Sequence, residues 1–123
     1  MTWCATATTV AGTGNGGSQV TQIRDPWRVA LDSTGAIYVA DSYYNRISSW
    51  TIGSPIGTIM AGQVNGQSGS TLPYLNTPYG VCVDSNKNVY VADTTNHRVQ
   101  LWTYGASSGA TVAGTGKKNV IKN

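Results

Sequence analysis

Two acid–base pairs with the same spacing are the side chains of this sequence best suited to chemistry. Asp41 precedes Arg46 by five residues, and Asp93 precedes Arg98 by the same interval. A carboxylate beside a guanidinium can hold a ligand or form a strong charge-assisted hydrogen bond. Because the pair occurs twice, we expect it to be structural and to tie one strand to the next in each repeated unit.

The other motifs that could hold a metal or a cofactor are incomplete. His97 is the only histidine, whereas a catalytic zinc site uses two or three histidines or histidine with carboxylates. Residues 12–17 satisfy G-x-G-x-x-G, but no helical pattern follows, as a dinucleotide site requires. Asp84-x-Asn86-x-Asn88 begins like a calcium loop and lacks the residues that complete one. We therefore expect a hairpin turn at 84–88, and no catalytic residue, metal or cofactor.

The acid–base pairs belong to a sequence that repeats after 52 residues, as the interval from Asp41 to Asp93 illustrates. A fixed period of this length is the signature of a repeat architecture. Trp50 and Trp102 occupy one repeated position, and we expect them to pack between units. Three segments return without a gap: residues 26–32 as 78–84, residues 37–41 as 89–93 and residues 46–50 as 98–102.

Each repeat contains four short runs with β character, separated by turn residues, which predicts a four-stranded antiparallel meander. The sequence shows no helical periodicity longer than a turn. Residues 9–14 have the same sequence as residues 111–116, so we predict an extra strand at Thr6–Ala11. The predicted strands of the two units are 29–31, 37–40, 47–51 and 57–61, then 81–83, 89–92, 99–103 and 109–113.

Composition narrows the class of protein. Only 11% of residues are charged and the net charge is +3, which is too weakly basic for a typical nucleic-acid binder. The sequence contains no run of about eighteen apolar residues, which a membrane-spanning helix would need. The low charge and the many Ser, Thr and Asn residues favour an extracellular location. Cys82 is expected to be a buried free thiol on a first, inner strand, and Cys4 to lie near the open end of the repeat array.

The second repeat resembles the NHL repeat in its residues Pro78-x-Gly80-Val81-x-Val83-Asp84, Val89–Asp93 and Asn96-His97-Arg98-Val99. The first repeat departs from it at Tyr44-Asn45-Arg46. The resemblance implies an all-β fold built from β-propeller blades, incomplete in one chain. The implied organisation is the outer strand of a preceding blade in residues 1–16, a first blade with its linker in 17–64, a second in 65–116 and a basic tail in 117–123.

Two blades leave apolar faces uncovered, because propellers close with roughly four to eight. We therefore expect a non-catalytic scaffold that assembles with copies of itself or with further NHL repeats, as a closed ring or an extracellular filament. A protein or glycan ligand is expected on a candidate binding surface of Arg28, His97, Tyr43 and Tyr44.

Two alternatives come with the resemblance. One is a metal-dependent enzyme like the lyases and lactonases of this kind. The other is an RNA-binding propeller, which would require Arg24, Arg28, Arg46 and Arg98 to cluster on one face. We do not expect nucleic acid or a membrane as a partner.

Overall fold

Residues 6–115, which the computed structural model describes, form two antiparallel sheets with the same strand order. The first sheet contains β1 (Pro26–Leu31), β2 (Ile37–Asp41), β3 (Arg46–Trp50) and β4 (Thr58–Gly62). The second contains β5 (Pro78–Val83), β6 (Val89–Asp93), β7 (Arg98–Trp102) and β8 (Ala110–Ala113). In each sheet every strand pairs with the next along the chain, so the predicted four-stranded meander is confirmed.

The first hairpin of each sheet is closed by an aspartate. The Asp32 Oδ1 atom accepts hydrogen bonds from the backbone N–H groups of Thr34 and Ala36, at 2.8 and 3.0 Å. Asp84 accepts equivalent bonds in the second sheet, from Asn86 among others. An aspartate that satisfies the N–H groups of its own turn stabilises that turn. The calcium-like sequence at 84–88 is therefore a hairpin turn, as predicted.

The hydrophobic core lies between the sheets, because β5 packs against β1 and β2. Alternate residues of a strand point to opposite faces of its sheet, so one apolar set from each sheet meets in this layer. The core extends into the segment that joins the sheets through Leu75, which is fully buried. The buried members of the core are Tyr38, Ala40, Ile47, Ala61, Leu75, Val89, Val91 and Trp102.

The prediction of a strand at Thr6–Ala11 is wrong, since residues 6–25 contain no strand. A strand needs neighbouring N–H and C=O groups with which to pair, and none of the eight strands pairs with this segment. Its glycine nevertheless has the same backbone conformation as the glycines of this motif in the two sheets. Gly12 has φ +79°, and φ is +81° both in Gly62, the last residue of β4, and in Gly114, which follows β8.

The expectation of a buried Cys82 is also wrong, because this residue is exposed. Cys82 pairs with Tyr90 as Ala30 pairs with Tyr38, so Cys82 and Ala30 are equivalent. Ala30 packs against the core because the second sheet covers it, whereas nothing described covers the corresponding face of the second sheet. Cys4 and the basic tail 117–123 lie outside the described residues. No helix in residues 6–115 is long and apolar enough to cross a membrane.

Candidate binding site between the two sheets

Both predicted acid–base pairs are present. Arg46 Nε lies 2.9 Å from Asp41 Oδ2, and Arg98 Nε lies 2.8 Å from Asp93 Oδ2. Each aspartate and its arginine are directly opposite one another on adjacent strands. The five-residue spacing therefore places the two charged residues opposite one another, next to the turn of a hairpin.

Arg46 also holds the segment that precedes the first sheet. Its Nη1 donates to the carbonyl oxygens of Ser18 and Val64, both at 2.7 Å, and its Nη2 to those of Gln19 and Gln22. A guanidinium has five N–H donors, and with Asp41 all five of Arg46 are used. Arg46 therefore has no donor left for a ligand phosphate, which removes it from the cluster that RNA binding would need.

Arg98 performs the same function one repeat later. It donates to the carbonyl oxygens of Ser70, Thr71 and Tyr74, the positions 52 residues after Ser18, Gln19 and Gln22. Equivalent arginine hydrogen bonds therefore hold the segment before each sheet to that sheet.

Burial dominates the electrostatics of Asp41. It raises the pKa of this carboxyl above the ordinary value, and the N–H groups of Arg24, Arg46 and Tyr44 offset only part of that rise. The same backbone bond recurs at Asp93, which accepts from the N–H of Asn76 at 2.7 Å, as Asp41 does from Arg24 at 3.0 Å. Both carboxylates therefore take part in hydrogen bonds that hold the fold together.

A cleft of about 330 Å³ lies beside these pairs, between the two sheets. Trp27 and Tyr79, equivalent residues of β1 and β5, meet there with ring centroids 4.5 Å apart and ring planes inclined by 34°. Trp27 is 59% exposed and Tyr43 50%, so aromatic surface faces solvent. The cleft is lined by Asp25, Trp27, Ser42, Tyr43, Asn45, Ser68, Asn76, Thr77 and Tyr79.

Hydrogen bonds between the sheets fix the walls of this cleft. The Ser42 hydroxyl donates to the carbonyl oxygen of Pro78. Asn45 Oδ1 accepts from the N–H of Thr77 at 2.9 Å. Asn45 and Thr77 have φ values of 55° and 53°, and left-handed backbone is unusual for a β-branched residue such as Thr77. Such positions persist only where surrounding contacts hold them.

The predicted binding residues fall in three places. Tyr43 lines the cleft, with the Arg24 guanidinium 3.7 Å from its ring centroid. Tyr44 contacts Tyr43 edge-on and is half-buried. Arg28 is exposed on β1, and His97 is exposed after the short 3-10 helix Thr94–Asn96. Of these four residues, only Tyr43 lines the cleft.

Trp27 and Tyr79 were not predicted as site residues. Their signal in the sequence is an aromatic residue after the proline in both repeats, Pro26-Trp27 and Pro78-Tyr79. Both side chains line the cleft.

The repeated tryptophans have different surroundings. Trp102 belongs to the core between the sheets, as predicted. Trp50 is equally buried but lies outside that core, beside a cavity lined by Gly53–Pro55 and the N-terminal residues 9–13. Within residues 6–115, no three His, Cys, Asp or Glu side chains are grouped so as to hold a metal ion.

The repeat geometry agrees with a comparison against known families. The NHL repeat matches residues 24–48 and residues 75–101. The chain is an NHL-repeat protein. Each match begins just after the segment that the repeat's arginine binds and ends within the third strand of its sheet, so each sheet contains one NHL repeat. A search of the curated proteins finds no match to the chain.

Proposed function

We propose that this NHL chain is a non-catalytic propeller module that acts as a self-assembling scaffold. Copies dock head to tail, so that the first blade of one copy packs on the second blade of another. The NHL repeats themselves indicate a propeller-like binding module, and the proposal adds that the module assembles. The exposure of the first blade's inner strand is the observation that supports the assembly.

Equivalent residues of β1 and β5 differ in their surroundings. Val81 and Val83 pack against the core because the first blade lies before them. Val29 and Leu31, the same positions one repeat earlier, are 63% and 64% exposed. We call Val29 and Leu31 the head face. The head face is apolar and exposed, although Val39 and Trp50 on the same side of the sheet are buried.

The opposite side of the second blade is open in the same way. Ala30 and Met60 of the first blade pack against the core. Their equivalents, Cys82 and Val112, are exposed. We call Cys82 and Val112 the tail face. The contact between the two blades of one chain is therefore a template for the contact of one head face with another tail face.

A head-to-tail contact joins two different surfaces, so the rotation that relates neighbouring copies decides what assembly they form. If the rotation closes, three copies give a ring of six blades, within the usual range of propellers. If it does not close, the copies form a filament. Burying an exposed valine or leucine contributes about 1.5–3 kcal/mol per side chain, which favours either product.

Sedimentation velocity over a range of protein concentrations tests the proposal. The wild-type chain is expected to form oligomers of a fixed size or a growing series. Leu31→Asp should leave monomers, because it places a charge in the contact. Ile52→Asp is the matched control, since Ile52 is 65% exposed but lies in the turn between β3 and β4. A folded wild-type chain that stays monomeric at every concentration would refute the proposal, and electron microscopy distinguishes rings from filaments.

A further inference from the structure

We propose that the cleft between the two blades binds a neutral pyranose sugar. Its lining contains only aromatic and hydrogen-bonding side chains and no aliphatic one. A mainly polar cleft with aromatic walls matches a ligand that carries hydroxyl groups around an apolar ring face. Both walls belong to one chain, so this site does not depend on the proposed assembly.

Trp27 and Tyr79 form the platform. Their rings are in contact and both are exposed, at 59% and 38%. The face of an aromatic ring carries negative charge, and the axial C–H groups of a pyranose are weakly positive. Stacking a sugar ring on Trp27 would cover apolar surface that the free chain leaves in water.

The polar lining offers both acceptors and donors. The Asp25 side chain lies at the cleft and makes no hydrogen bond or ion pair with any residue of the described range 6–115. The Asn76 side chain accepts from the Thr77 hydroxyl through its oxygen, which leaves its amide N–H₂ group for a ligand. An unpaired carboxylate with a nearby amide donor suits two adjacent sugar hydroxyls, each of which donates and accepts.

The walls are organised before any ligand arrives. The Ser42–Pro78 and Asn45–Thr77 hydrogen bonds cross between the blades. Asp25 is held in the left-handed region at φ 54°. A cleft fixed in this way loses less conformational entropy when it binds.

Charge selects against ionic ligands. The Arg24 guanidinium already lies over the Tyr43 ring, where it takes the surface that a ligand cation would use and repels that cation. The Asp25 carboxylate repels an anion. The two charges lie at adjacent positions in the chain, so a neutral ligand is favoured.

Nuclear magnetic resonance of the ¹⁵N-labelled chain tests the site. The probes are methyl glucopyranoside, methyl galactopyranoside and methyl mannopyranoside, with tetramethylammonium chloride as a cationic comparison. We expect at least one glycoside to shift the Trp27 indole N–H signal, with a Kd of roughly 1–10 mM, as for a weak single-site ligand. The Trp27→Ala spectrum assigns that signal.

The variants separate this site from the assembly. Trp27→Ala and Tyr79→Ala should weaken glycoside binding about tenfold or more, read from shifts at the Asn76 side-chain amide, while Trp27→Phe retains part of it. Leu31→Asp should bind the glycoside like the wild type, because Leu31 does not line the cleft. The proposal is overturned if no glycoside shifts the Trp27 signal, or if only tetramethylammonium does. Either result would leave the sedimentation test of assembly unaffected.

Discussion

Asp41 Oδ2 and Arg46 Nε lie 2.9 Å apart, and both side chains are almost completely shielded from water. The pair is buried and joins β2 to β3 next to the turn of their hairpin. Because the same guanidinium also binds carbonyl oxygens on two separate segments, it joins the hairpin to residues that are distant in sequence. This single side chain connects the blade to its linkers.

Replacing Arg46 should therefore be costly. Arg46→Ala leaves the Asp41 carboxylate buried without its ion-pair partner, and we expect the free energy of unfolding to fall by about 3–5 kcal/mol. Urea denaturation followed by circular dichroism measures the change. Arg28→Ala is the control, since Arg28 is exposed and its loss should change stability by roughly 0.5 kcal/mol or less. Equal losses in the two variants would contradict the structural function of Arg46.

Gly62 is required at the end of β4 for two reasons. Its φ of +81° lies in the left-handed region, and a Cβ atom there would collide with the carbonyl oxygen of Asn45. Gly35→Ala isolates the first effect, because Gly35 has φ +87° and open space around it. We expect Gly35→Ala to lose about 1 kcal/mol and Gly62→Ala roughly 3 kcal/mol in thermal or urea unfolding. Similar losses would show that the collision does not occur.

Asp32 makes the first hairpin sensitive to acid. Hydrogen bonds from the Thr34 hydroxyl, and from the N–H groups of Thr34 and Ala36, lower the pKa of Asp32 from 3.8 to about 2. A lowered pKa in the folded state means that the contribution to stability is present above pH 3.8 and is lost as the pH falls through about 2. Carboxyl ¹³C resonances give the midpoint directly.

Thr34→Val provides the comparison for that titration. It removes the hydroxyl donor but keeps the backbone bonds, so the Asp32 midpoint should move up towards its ordinary value. A midpoint already near 3.8 in the wild type would contradict the turn geometry.

Cys82 reports on the tail face. In a Cys4→Ser background, we expect its thiol to react with a maleimide at low protein concentration, because Cys82 is exposed. Reactivity should decrease as the concentration rises, since a docked head face covers the thiol. Leu31→Asp should restore fast labelling at high concentration. Labelling at one rate throughout would argue against docking at this face.

Much of each blade could be predicted because its determinants are local. Ile37–Asp41 and Arg46–Trp50 alternate or cluster apolar residues over one strand length, and a short turn forces them to pair. The Asp41–Arg46 contact follows from that pairing. The bonds from Arg46 to Ser18 and Gln19 could not be predicted in this way, because nothing local brings those carbonyl oxygens to β3.

The sequence by itself determined the repeat, the strands, their order and the acid–base pair within each hairpin, because hydrogen-bonded neighbours along a meander are close in the chain. Only the tertiary structure decided which faces are covered. It exposed Cys82 and Leu31, left Thr6–Ala11 without a strand and brought Trp27 to Tyr79. The physical reason is that burial depends on what packs against a sheet from outside it, and the repeated residues are the same whether or not a neighbouring blade is there.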